Sequence, residues 1–147
     1  MKIAITSDHA GIGLKSFLTK HLQDKGISVI DVGPFENASV DYPDYAKLMC
    51  EKVLDKEADL GIAICGTGIG MSIACNKIHG IRASLCSEAY SARLTRLHNN
   101  SNVLCLGARV IGEELAMDIV DSYVSTEFSG DERHVRRIGK LEGGINE

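Results

Sequence analysis

Cys65 stands directly before alternate glycines, in Cys65-Gly66-Thr67-Gly68-Ile69-Gly70. Glycines leave backbone N–H groups uncovered by any Cβ, and a helix resuming at Met71-Ser72-Ile73-Ala74 adds its positive end. Such a loop cradles an anion or a developing oxyanion, and a helix start favours the thiolate form of a cysteine. Asp8-His9, His98-Asn99 and Arg109 are the other residues able to move protons or hold charge. Arg133, His134, Arg136 and Arg137 add a local positive patch. Arg133 and Arg137 are four apart, so both guanidinium groups share one helix face and can fork onto one phosphate.

Each candidate also has a plainer reading, and the residue types alone leave both open. Cys65 is either a buried small hydrophobe or a nucleophile or base. Asp8-His9 either serves a site or caps the first helix. His98-Asn99 is either catalytic or a helix end with imidazole near the negative pole. The arginine patch is either a phosphate clamp or a solvated face. Tyr42 and Tyr45 could line a pocket, whereas Met71 reads as core, and Lys15, Lys20 and Lys25 read as surface lysines. The glycine loop is not a dinucleotide fingerprint: it follows the third strand, and position 90 is Tyr where an acidic residue belongs. It also lacks the Gly-Lys-Ser/Thr ending of a P-loop.

The elements that must position these residues alternate from end to end. Strands are predicted over Ile3 to Thr6, Ile27 to Val32, Leu60 to Ile64, Ile81 to Cys86 and Val103 to Leu106. Between them lie helices from Ile12 to Lys25 with Gly26 as C-cap, from Pro43 to Lys56, from the glycine loop to Lys77, and to His98 with Ser87 as its cap. Asn99 to Asn102 is a polar turn of residues that tolerate left-handed backbone. A helix from Gly112 to Val124 turns Leu115, Ile119, Val120 and Val124 inward, and Asp131 to Leu141 forms a last, arginine-rich helix frayed by Gly143-Gly144. Strands separated by such helices predict right-handed βαβ units. The expected fold is a three-layer αβα sandwich, Rossmann-like, around a doubly wound, five-stranded parallel sheet. Residues 1–147 make one domain with a C-terminal helical arm from about 130.

In a parallel sheet the loops after strands share one edge. Asp8-His9, the 66–70 loop and Arg109 therefore stand with Cys65, whereas His98 and Asn99 precede the fifth strand and stand at the opposite edge. A pocket uniting them needs a second copy of the chain.

A net charge of −4 and a pI near 5.7 provide no global basic field for nucleic acid. No apolar run reaches membrane-spanning length, and Met1-Lys2-Ile3-Ala4-Ile5 reads as a strand and not a signal peptide. Five scattered cysteines, odd in number and without a C-x-x-C pair, read as buried free thiols of a reducing cytoplasm.

Taken together these pieces resemble the type B ribose-5-phosphate isomerases, in the wider family that includes galactose-6-phosphate isomerase subunits. The matching stretches are Ser7 to Gly11, Asp41-Tyr42-Pro43, Ile64 to Ala74, Asn76-Lys77, Gly80 to Ala83, His98-Asn99 and Gly107 to Val110. The resemblance implies a cofactor-free, metal-free aldose–ketose isomerisation of ribose 5-phosphate through an enediol(ate), in the pentose phosphate pathway. Allose or galactose 6-phosphate would be the substrate of a same-class alternative, and a non-catalytic phosphosugar-binding module is the alternative of another class. By resemblance Cys65 is the base that moves a proton between C2 and C1. Thr67 and the amides of Gly66, Gly68, Ile69 and Gly70 bind the sugar oxygens. His98 opens the ring with Asp8 assisting, and Asn99 contacts the intermediate. His9, Arg109, Arg133 and Arg137 hold the phosphate, with Arg136 as alternative to Arg137 because Gly130 to His134 is one residue longer than usual. The resemblance further implies a homodimer or homotetramer in which His98, Asn99 and Arg109 face Cys65 from another subunit. Some relatives carry a glutamate base at the position of Met71, which cannot accept a proton.

Overall fold

The computed structural model describes residues 1–143. Five strands, β1 (Lys2–Ser7), β2 (Ser28–Asp31), β3 (Leu60–Cys65), β4 (Ala83–Leu85) and β5 (Val103–Gly107), form one sheet in the order β2-β1-β3-β5-β4. All four pairings are parallel. The helices are α1 (Ile12–Asp24), α2 (Tyr42–Leu54), α3 (Ile69–Asn76), α4 (Ala89–Asn99), α5 (Glu113–Val124) and α6 (Glu132–Gly143). The expected doubly wound αβα architecture is the one observed.

The two faces of the sheet differ in residue size. Ile3, Ile5, Leu60, Ile62, Ile64, Leu104 and Leu106 point toward α1, α4 and α5. Ala4, Ala63, Cys65, Val103 and Cys105 point toward α2 and α3, which can therefore approach closely. Gly61 shows how closely: a Cβ there would stand 2.2 Å from the Met49 sulfur. Cys65 thus faces the side that α3 covers.

Several local expectations shift. Lys15 is not a surface lysine: it is 2% exposed, and its Nζ donates to Asp31 Oδ1 at 2.8 Å and to the Pro34 carbonyl at 2.7 Å. It flanks the Leu14–Leu18–Leu22 stripe, and its buried charge is compensated by a carboxylate from β2 that local pattern does not reveal. Leu115 is exposed: Ile119 and Val120 are buried and Val124 packs against the core as expected, but Ala116 and Tyr123 complete the inward stripe of α5. Glu88, not Ser87, caps α4: the helix begins at Ala89, and the Glu88 carboxylate accepts the Ser91 amide at 2.8 Å. Strand four is only three residues long. The predicted left-handed turn is present, with Asn100 at φ 44° ending α4. Gly143 lies inside α6, and Gly144 lies outside the described residues.

Candidate active site

The chain passes from β1 outward to β2 and then crosses to the other side of β1 to form β3. Strand order reverses between β1 and β3, and parallel sheets open a crevice at the carboxyl ends of such a pair. Asp8 and His9 follow β1 at that point, and Cys65 ends β3. A shallow cleft of about 460 Å³ lies there, lined by Asp8, Tyr42, Cys65, Gly66, Thr67, Ile69, Gly70 and Ile73. Ile73 is the lining residue that sequence reasoning missed, since it reads only as one more apolar position of α3.

Cys65 is 5% exposed. The Gly68 amide donates to its Sγ at 3.2 Å, so a peptide dipole is aimed at the sulfur, where it can hold negative charge. Gly68 adopts φ +78° as the N-cap of α3, and a Cβ on it would meet Leu85 Cδ1 at 2.5 Å and the Leu106 carbonyl carbon at 2.9 Å. The loop is less open than an unbroken row of free amides. Besides the Gly68 amide on sulfur, the Ile69 amide donates to Thr67 Oγ1 at 3.2 Å. Among the described residues, the amides of Thr67 and Gly70 make no hydrogen bond.

Asp8 caps the short turn that precedes α1, not α1 itself, and lines the cleft. Its Oδ1 caps the turn His9–Gly11 by accepting the Ala10 amide at 2.9 Å, and its own amide donates to the Ile64 carbonyl at 2.9 Å. Those bonds hold the carboxylate on the cleft wall beside the exposed His9. Arg109 stands on the Cys65 edge of its own chain: its amide donates to the Gly66 carbonyl at 3.0 Å and its guanidinium lies against Gly66. Within one chain this is the edge that strand order predicts for Arg109. Met71 is wholly buried in the core, and Tyr45 lines a separate hollow with Pro34 and Phe35.

The remaining candidates lie at the other edge of the sheet. Gly61 pairs with Val103 and Cys65 with Gly107, so the strands alone separate the edges by about 13 Å at ~3.3 Å per residue. His98 and Asn99 end α4 ahead of β5, at the Val103 end. There the His98 ring stacks on His134 of α6, with centroids 4.3 Å apart and planes at 16°. Burial first, then the neighbouring His98 and Arg133, hold the His134 pKa below the usual histidine range. Arg133 and Arg137 are exposed on the same helix, and Arg133 Nη2 is 3.8 Å from Asp131 Oδ2. Arg82 gathers this edge: it donates to the carbonyls of Asn99 at 3.0 Å and Asn100 at 2.8 Å, and pairs with Glu142 of α6. A polar hollow of about 370 Å³ opens beside it, lined in part by Asn76, Arg82, Ser84, Asn99 and Glu142.

The four other cysteines are free and buried. Cys50 and Cys105 are pushed above the usual thiol range, by the sulfur hydrogen bond each shares with Cys75 and then by burial. Burial, then Glu88, raises Cys86 to about 11. Cys65 is the one cysteine that lines the cleft.

Residues 3–141 match the family model described as ribose/galactose isomerase. Ribose-5-phosphate isomerase B of Escherichia coli is 49% identical over 137 residues, covering 93% of this chain and 91% of the relative. Among solved structures, the ribose 5-phosphate isomerase of Thermotoga maritima superposes with a TM-score of 0.95 at 54% identity, covering 97% of this chain and 98% of that one. Ribose-5-phosphate isomerase B of Mycoplasma genitalium, solved with bound ribulose 5-phosphate, superposes with a TM-score of 0.92 at 42% identity, covering 99% and 97%. With a matching family model across nearly its whole length and relatives this similar, the chain belongs to the ribose/galactose isomerase family.

Proposed function

We propose that this protein is a ribose-5-phosphate isomerase that interconverts ribose 5-phosphate and ribulose 5-phosphate through a cis-enediol(ate), with Cys65 as the base. The observation that carries the reading is the Cys65 sulfur at the β1/β3 crevice with the Gly68 amide upon it. The names of the Escherichia coli and Thermotoga relatives, and the ribulose 5-phosphate bound to the Mycoplasma one, support the pentose substrate.

The chemistry follows from acidity. A sugar C–H is a very weak acid, so its proton leaves only if the developing oxyanion is stabilised at the same moment. In this reading the Cys65 thiolate takes the C2 proton of the open aldose and returns it to C1. Thr67 and the free amides of the 66–70 loop meet the enediolate oxygens; one such donor is typically worth about a hundredfold in rate or more. Asp8 stands on the wall of the same cleft, beside the place where the ring oxygens would lie. Ring opening falls to His98 assisted by Asp8, contact with the intermediate to Asn99, and phosphate binding to His9, Arg109, Arg133 and Arg137.

His98, Asn99, Arg133 and Arg137 lie at the wrong edge to reach Cys65 of their own chain, so the working unit is a homodimer or a larger assembly of dimers. The exposed apolar residues around the cleft support this: Ile73 is 57% exposed, and an apolar hollow of about 450 Å³ framed by Tyr42, Gly70, Ile73, Ala74 and Ile78 adjoins it. The free, buried cysteines support a cytoplasmic location, and no helix among the described residues is long and apolar enough to cross a membrane.

Proton NMR of ribose 5-phosphate in D₂O with metal-stripped protein tests the reading. Ribulose 5-phosphate must appear, with deuterium entering at the carbon that receives the returned proton. Folded protein that converts only hexose 6-phosphates, or binds ribose 5-phosphate without turnover, overturns it.

A further inference from the structure

His98 ends α4 with its ring partly exposed, and among the described residues no hydrogen bond reaches either of its ring nitrogens. A histidine that moves protons ordinarily has its plane and tautomer fixed by a carboxylate or carbonyl on the second nitrogen. Here the ring face of His134 takes that place, at 4.3 Å and nearly parallel. His134 is itself anchored: its amide donates to the Asp131 carbonyl at 2.9 Å, and the residue is 5% exposed. Yet its Nε2 is buried without a hydrogen-bond partner, a cost that a phenyl ring in the same space would not carry. The charged and titratable groups around it are His98 on α4 and Arg133, Arg137 and Asp131 on or beside its own helix. A neutral ring is the form that can lie against a second imidazole amid those arginines.

Resting on the proposal that His98 opens the sugar ring, we propose that His134 is the positioning residue for that step, fixing the plane of the His98 imidazole by stacking. In ring opening the C1–O4 bond of the furanose breaks, C1=O forms, the C1 hydroxyl loses its proton and O4 gains one. His98 must therefore present a nitrogen along a fixed direction to the sugar, and the His134 face sets that direction. Proton transfer between C2 and C1 does not pass through His98 and does not need the stack.

The two steps separate experimentally, because ribulose 5-phosphate carries its phosphate on O5 and cannot close to a furanose. Exchange of its C1 protons with D₂O requires proton abstraction alone, whereas turnover of ribose 5-phosphate also requires opening. His134→Leu keeps the burial and removes the aromatic face. It is expected to lower kcat/KM for ribose 5-phosphate at least tenfold while C1 exchange from ribulose 5-phosphate stays within about threefold of wild type. His134→Phe restores a flat ring and is expected to recover most of the loss; if His134→Leu fails to fold, His134→Phe that stays folded but shows the split of His98→Asn overturns stacking as the positioning device. His98→Asn should show the same split as His134→Leu.

A split in His98→Asn without one in His134→Leu overturns the positioning role alone. Equal loss of both activities in His134→Leu, or no loss of either, overturns it too, since a residue that merely holds α6 and its arginines would weaken binding of both sugars. No split in His98→Asn overturns the ring-opening reading itself.

Discussion

The Gly68 amide and the Cys65 sulfur, 3.2 Å apart, make a single unit of strand end and helix start. The amide can point at sulfur only because Gly68 turns the chain through left-handed backbone as α3 begins. If this sulfur carries the proton, Cys65→Ala should bind ribose 5-phosphate nearly as wild type and lose about 10²–10⁴-fold in kcat. Steady-state kinetics read with a binding isotherm check it; retained turnover would remove Cys65 from the mechanism.

Gly68→Ala combines backbone strain at φ +78° with a Cβ 2.9 Å from the Leu106 carbonyl carbon. Leu85 can rotate away, but the β5 backbone cannot. We expect a loss of about 2 kcal/mol or more in urea unfolding, and a fall in kcat beyond that of a folded control. An unchanged midpoint would mean the loop relaxes elsewhere.

Cys65 and His98 stand at opposite sheet edges, which makes a complementation experiment decisive. Cys65→Ala chains should be inactive alone, and His98→Asn chains should have lost at least tenfold in turnover of ribose 5-phosphate. Co-expressed at equal levels and paired at random, half the dimers are mixed and each mixed dimer has one complete site, so about a quarter of wild-type activity should return. A mixture no more active than its parents would place both residues in one chain's site.

The pH dependence of stability has a definite sign. His134 has its pKa lowered from 6.5 in the folded chain, so below that pH the unfolded chain takes up a proton that the folded one resists. The contribution is full above about 6.5 and is lost as pH falls beneath it. Urea midpoints of wild type should therefore drop more steeply between pH 6.5 and 5 than those of His134→Phe. Parallel curves would refute a depressed His134.

Much of this was legible from residue order because its determinants are local. Alternation of short apolar runs and amphipathic helices specifies the parallel sheet, and the Cys-Gly-x-Gly-x-Gly spacing marks the crevice. The edge argument for His98 needs only strand order in the sequence, and β3–β5 register realises it. What escaped depends on partners far along the chain. Lys15 looks like a surface lysine until Asp31 arrives from β2. His134 looks like one more cation until α6 lays it on His98, 36 positions earlier in the chain. The glycine loop looked like a row of free amides because the internal bonds from Gly68 and Ile69 depend on turn geometry that composition leaves open.

Helix α6 is held to the body by the His134 stack, the Arg82–Glu142 pair and one strap, the Ser129 amide on the Leu97 carbonyl at 3.2 Å. The stretch from Ser129 to Asp131 that leads into it is exposed and irregular. A protease nicking that stretch would strip Arg133, His134 and Arg137 in one event while sheet, core and Cys65 stay intact. Clipped material would keep the sheet, the core and every thiol, yet lose both the stack and the arginines at once. On the proposed roles of those residues, a mass measurement that confirms an intact C-terminal helix is the check an active preparation needs.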